Sequence, residues 1–261
     1  IGTDTNIPLS CTSLRAENLY MDTLALSLHH FGITTGKHDA SPSQLLGSIY
    51  FDFNSLTSKS DGRLSANIEA ALSHSEILDI ASGFIPADLA RIYPEQPLNA
   101  NISLNGNIDS LHIDTIHLQM PTAFNLQGQG YVADILATDS IRAHFTWIAS
   151  TGKLDFVRRY LQLSEINIPS MKLEAETRIN GNKYEAEATI NRGHGTLQTQ
   201  AYIDLNNMAY NAELYANEIN IRDFLPNDSL GKLTFSAKVK GHGTDLMSKA
   251  TGFNGEFNLK H

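Results

Sequence analysis

From Leu98 to Asp109 apolar and polar residues take turns without a break. Leu98, Ala100, Ile102, Leu104, Gly106 and Ile108 fall on one side; Asn99, Asn101, Ser103, Asn105, Asn107 and Asp109 fall on the other. Successive side chains of a strand point to opposite faces, so the pattern predicts a sheet with one wet and one oily face. The pattern returns in Met171–Ile179, Tyr184–Ile190, Leu233–Val239 and Phe253–Leu259. About a dozen such strands are expected along the chain, and all meet the same problem, namely what covers the oily face.

Short helix-like segments interrupt the strands. Ile77, Ile80, Ala81, Phe84 and Ile85 have helical spacing, with Gly83 and Pro86 dividing the segment in two and Pro86 starting the second piece. Leu154, Val157 and Leu161 form a stripe with Arg158 and Arg159 on the wet side. Ile221, Phe224 and Leu225 precede Pro226 and leave room for about one turn. Each helix precedes a set of alternating strands, a degenerate repeat with approximate units 1–76, 77–152, 153–218 and 219–261 in one elongated β domain. The chain opens abruptly on Ile1-Gly-Thr-Asp4 and stops at Leu259-Lys-His261, in or just after a strand, so it is expected to be a piece of a longer protein.

Turn chemistry separates the strands. Asn180-Gly-Asn-Lys183 is a hairpin signal. A four-residue loop there sets Arg178 opposite Glu185, whereas a two-residue Asn-Gly loop sets Glu176 opposite Glu185; cross-strand charge favours the first. Asn206-Asn207 and Gly241-His-Gly243 read as further turns, and 34–44 and 54–62 as loops. Leu14–His30 and Ile49–Phe53 alternate less cleanly, as an edge region or a ragged end would.

Composition narrows the function classes. A net charge of −9 with no basic run argues against nucleic acid and against a surface held to anionic lipid heads by charge. The single Cys11 excludes an internal disulfide framework and a Cys-rich zinc site. No apolar run approaches the roughly 18–20 residues of a membrane-spanning helix. The phosphate-loop, HExxH and GxSxG motifs are absent, and Gly128-Gln-Gly130 lies on a strand pattern without the helix a dinucleotide fingerprint needs. His29 and His30, being adjacent, are expected on opposite faces of a strand, and the odd spacing of His112 and His117 predicts a bulge. Gly193-His-Gly195 and Gly241-His-Gly243 read as glycines flanking a turn or bulge. Glu174, Glu176, Glu185 and Glu187 belong to a wet face, with nothing expected to shift their pKa, and Trp147 is expected in the core behind Ala143 and Phe145. The expectation is a non-enzyme with no catalytic residue, metal or cofactor.

Three short helices cannot cover so many strands. The sheet must fold on itself as a sandwich or barrel, or curl into an open trough. The alternation names the lining: Leu98, Ala100, Ile102, Leu104, Leu126, Phe145, Trp147, Leu173, Ala175, Ala186, Ala188, Leu197, Ala201, Ile203, Leu214, Leu233, Phe235 and Val239. Many are small, which leaves room between curled walls. Such a trough suits acyl chains, since each buried CH₂ contributes about 0.8 kcal/mol. The fold class is therefore all-β, an elongated, curled antiparallel sheet with a few short helices between strand sets.

Several stretches resemble a known family: Ile92-Tyr-Pro-Glu-Gln-Pro-Leu98, Leu104-Asn-Gly-Asn-Ile-Asp-Ser-Leu111, Leu118-Gln-Met-Pro-Thr-Ala-Phe124, Gly152-Lys-Leu-Asp-Phe-Val157, Ile219–Leu230 and Val239-Lys-Gly-His-Gly-Thr-Asp245. Together, over about 70–260, they are similar to the TamB proteins of Bacteroidetes in the AsmA-like superfamily. The resemblance implies a long periplasmic protein, anchored in the inner membrane and reaching the outer one, built as a U-shaped β-taco with an apolar groove. It implies a bridge-like conduit for phospholipid in outer-membrane biogenesis, or a scaffold assisting outer-membrane β-barrel assembly or secretion with an Omp85-type partner. Two rivals come from the residues alone. One is a chaperone-like spacer that engages other β proteins by strand addition; the other is an extracellular β-solenoid or carbohydrate-binding module, which would call for exposed aromatic platforms.

Overall fold

A computed structural model describes residues 11–35, 42–57, 62–80, 87–137, 139–163, 165–226, 231–243 and 252–260. Fourteen strands run in chain order: β1 (Cys11–Met21), β2 (Ala25–Thr35), β3 (Ser43–Asp52), β4 (Leu64–Leu72), β5 (Leu98–Gly106), β6 (Ser110–Met120), β7 (Phe124–Ala133), β8 (Arg142–Thr151), β9 (Lys172–Asn180), β10 (Lys183–Arg192), β11 (Gly195–Asp204), β12 (Ala209–Asn220), β13 (Lys232–His242) and β14 (Gly252–Lys260). They make one antiparallel sheet in which every strand pairs only with its chain neighbours. The sheet is curled and not closed. At about 4.8 Å per strand it extends roughly 60 Å across the strands, and strand length makes it about 30–40 Å wide.

The helices fall where the apolar periodicity changes from two to near four. α1 (His74–Ile80) and α2 (Ala87–Ala90) follow β4, and α3 (Asp155–Tyr160) follows β8. A 3-10 turn, Ile221–Asp223, follows β12; another, Phe53–Leu56, follows β3 at the opposite rim and stands outside this pattern. The expected break at Gly83 and Pro86 lies outside the described residues. Each helical insertion thus closes a set of four strands. Four antiparallel strands return the chain to the rim it left, so all these insertions lie along one rim of the sheet.

That rim is tied together. The Lys153 and Gly152 amides donate to the Thr122 and Ala123 carbonyls at 2.8 and 2.7 Å. Tyr93 meets Phe156 edge-on at 5.8 Å between centroids. The Asn167 amide donates to the Phe224 carbonyl at 2.7 Å, and Arg192 pairs with Asp223 at 3.0 Å. Two of the most buried side chains lie here: Met120 is 0% exposed and Ala123 1%.

Elsewhere little is fully buried. The accessible surface is 17131 Å², against about 11,300 Å² for a compact protein of this mass. A closed, tightly packed sandwich is therefore not the solution this chain adopts. No helix among the described residues is long and apolar enough to cross a membrane.

The hairpin at Gly181 takes the register that cross-strand charge favours, Arg178 opposite Glu185. The loop is shorter than four residues, because Asn180 and Lys183 also pair and only Gly181 and Asn182 turn. Gly181 holds φ 56°, a conformation a side chain would resist.

Candidate functional site: one apolar face across fourteen strands

The ladder registers tell which residues share a face, because directly paired residues point the same way. One row of partners crosses the whole sheet: Leu14, Ile33, Leu45, Ala70, Ala100, Leu118, Leu126, Ala149, Leu173, Ile190, Leu197, Ala216, Phe235 and Leu259. A second runs through Ala16, Phe31, Gly47, Ile68, Ile102, Ile116, Gly128, Trp147, Ala175, Ala188, Thr199, Leu214, Ala237 and Phe257. A third contains Leu104, Phe145, Ala186, Ala201 and Val239, and a fourth, toward the rim opposite the α-helices, contains Ile203. Across these four rows only Thr177 and Thr199 are neither apolar, aromatic nor glycine, and none is charged. Leu98 and Leu233, which pair with Leu72 and Ile219, extend the same face at the helical rim. All eighteen residues named from alternation therefore lie on one face.

Three phase breaks keep the rows continuous. In β6 an extra residue separates Ile113 from Ile116, so both stay on the apolar face while His112 and His117 stay on the other. In β12 an extra residue lies between Ala216 and Ile219, with Glu218 at φ 49°. In β1 and β2 the break is shared: Ala16 and Leu19 on one strand face Phe31 and Leu28 on the other. The untidy alternation of the N-terminal segment is thus two ordered strands slipping phase together.

Exposure of this face is graded. From β2 to β9 none of its large side chains is exposed. Toward β14 they open: Val239 is 38% exposed, Leu259 55% and Phe257 65%. At the other margin Leu14 and Leu19 are 68% and 67% exposed. None of the eighteen is fully buried, and Ala201, Ile203 and Val239 are exposed.

Trp147 lies on this half-buried face and not in a closed core. Its indole spans three strands. On one side it lies over Gly128, where an added Cβ would collide with Cε3 and Cζ3 of the ring. On the other, the indole N–H donates to Thr177 Oγ1 at 3.2 Å. Phe145 stacks beside it at 5.3 Å and 19°, over Gly130, whose Cβ would meet Phe145 at 2.7 Å. Two alternate glycines on β7 thus underlie two alternate aromatics on β8, and at Gly130 the His144 carbonyl comes closer still than the ring. Sequence reading noted the glycines only as a failed nucleotide motif; the register that pairs them with the aromatics was the missing signal.

The opposite face carries the charges. His144 Nε2 and Glu176 Oε1 lie 2.6 Å apart, and Arg178 pairs with the same carboxylate. The hydrogen bond from His144, aided by the Arg178 charge, holds the Glu176 carboxyl below its usual range. This corrects the expectation for Glu176. Hollows between polar side chains lie on this side. One of about 460 Å³ is lined by Thr146, Ile148, Glu174, Glu176, Glu187 and Gln200, and another of about 420 Å³ by Gln44, Glu69, Asn99, Asn101, His117 and Gln119.

His29 and His30 do not point to opposite faces. The β1–β2 phase break puts consecutive residues on the same side, and their rings meet edge-on at 4.1 Å. His30 Nδ1 lies 2.7 Å from Glu17 Oε2. Among the described residues these three are the one group of three or more potential metal donors brought within reach of each other. Comparison of the chain with protein-family models, curated proteins and solved structures returns no match.

Proposed function

We propose that this chain is a periplasmic segment of a bridge-like lipid-transport protein of the AsmA-like kind, its apolar face conducting phospholipid acyl chains between inner and outer membranes. The observation that carries the reading is the set of four uninterrupted rows. They run along the long axis of the sheet, across fourteen strands, without one charged side chain. An acyl chain moving along such a row exchanges one set of CH₂ contacts for an equivalent one. Each CH₂ keeps its roughly 0.8 kcal/mol of burial at every step, so no step is steeply uphill. The half-covered middle shields the tails from water, and the polar face stays wetted by carboxylates, amides and ion pairs. No chemistry is required of the residues.

A second reading, a scaffold assisting outer-membrane β-barrel assembly with an Omp85-type partner, draws support from a different feature. β1 and β14 each leave a long backbone edge unpaired by the described strands, and such edges accept added strands. Photo-crosslinking separates the two. Groups at Ala175, Ala186 and Ala201 on the apolar face are expected to capture phospholipid from membranes, and groups at Glu176, Glu187 and Gln200 on the polar face are not. Equal capture on both faces, or capture of β-barrel protein at β14 with no lipid at the alanines, would sink the conduit reading.

A further inference from the structure

The shared phase break in β1 and β2 does more than keep the apolar rows continuous. A bulge in one strand would suffice to adjust the sheet. Here both strands place consecutive residues on the wet side at the same level, Glu17-Asn18 against His29-His30. His30 holds φ 47° to do so, a left-handed conformation that is unfavourable for a residue with a side chain and that Glu218 also takes at the β12 bulge. Its amide donates to Ser48 Oγ on the third strand at 3.1 Å, which fixes the bulge.

We propose that Glu17, His29 and His30 form a binding site for a borderline divalent transition cation such as Zn²⁺. One ligand atom from each lies within 4.8 Å of the others. Donors around tetrahedral zinc sit about 3.4 Å apart, given metal–nitrogen and metal–oxygen distances near 2.0–2.1 Å, so side-chain rotation of about an ångström closes the set. Two neutral imidazoles and one carboxylate suit zinc, copper(II) and nickel(II) and disfavour calcium and magnesium, which take oxygen ligands. All three side chains are exposed, which gives a cation direct access and leaves a fourth position to water. Without metal, a proton joins His30 Nδ1 to Glu17. With metal at Nδ1 that proton moves to Nε2 or leaves to solvent. The site bridges β1 and β2, so an occupied site staples the outermost strand to its neighbour.

Titration of the untagged, folded chain with ZnCl₂ by calorimetry tests it. One equivalent per chain is expected. His29→Ala, His30→Asn (asparagine tolerates the left-handed backbone) and Glu17→Gln are each expected to weaken binding at least about ten-fold, since loss of even a supporting group at metal sites costs about 10–100-fold. His112→Ala and His194→Ala should bind as the parent does. In parallel, zinc should shift the imidazole resonances of His29 and His30 and slow amide exchange in β1. Absence of stoichiometric binding, or undiminished binding by the three variants, overturns the site; circular dichroism of each variant confirms that it is folded when tested.

Discussion

Replacing Gly128 by alanine is expected to evict the indole of Trp147. The new Cβ would lie 2.5 Å from Cζ3 of the ring, well inside contact distance, and the ring is pinned on its far side by Phe145 and Thr177. Overpacking of this kind costs about 1–3 kcal/mol. Loss of the indole hydrogen bond adds about 1 kcal/mol, and loss of the aromatic stack about 0.5–1.5 kcal/mol. These terms overlap, because the ring moves once, and alanine returns about 0.4–1 kcal/mol by restricting the unfolded chain. A net loss near 2 kcal/mol is expected. The chain has one tryptophan, so its fluorescence reports this site alone: urea unfolding should shift to a lower midpoint, and the emission of the folded state should move to the red as the indole enters water. Gly255→Ala is the control, since its Cβ would meet nothing nearer than 3.8 Å, and it should be close to neutral. Unchanged emission and stability in Gly128→Ala, or an equal loss in Gly255→Ala, would refute the idea that alternate glycines exist to seat the aromatics.

Met120→Ala, at a side chain with 0% exposure on the helical rim, is expected to cost about 2–5 kcal/mol by thermal or urea unfolding; a loss below about 1 kcal/mol would mean that the rim is not where the sheet is anchored. The folded-state pKa of Glu176 is lowered from 4.5 by His144 and Arg178, so its contribution is present above the unfolded value and is lost as pH falls through the folded one. Melting curves across that acid range should therefore depend less steeply on pH in Glu176→Gln than in the parent, and identical profiles would remove the His144–Glu176 link from the account.

The phase of the central strands was legible because each carries its own alternation. Arg178 and Glu185 were enough to choose a hairpin register by their opposite charges, and the ladder keeps that pair although it also sets Glu176 opposite Glu187. What could not be read from one strand is whatever needs two. Leu28 and Phe31 are three apart, which in isolation looks like lost periodicity; only when Ala16 and Leu19 make the same slip on the partner does it become a matched bulge. The same limit hid the glycine–aromatic pairing of β7 with β8 and the meeting of His29 with His30. Alternation also locates the apolar face without saying how far it is covered. Curling is a property of the whole sheet, and it shields Phe145 while leaving Phe257 in water.

Four strands between helical insertions is an even number, and parity has a consequence for how such a protein changes length. Adding or removing two strands, or a whole four-strand unit, leaves every later strand running in its original direction and every helix on its original rim. Adding or removing one strand reverses everything downstream and carries the next helix to the opposite rim, away from the contacts that Met120 and Tyr93 provide. Viable length variants of this architecture are thus quantised in hairpins, each step altering the span by about 10 Å.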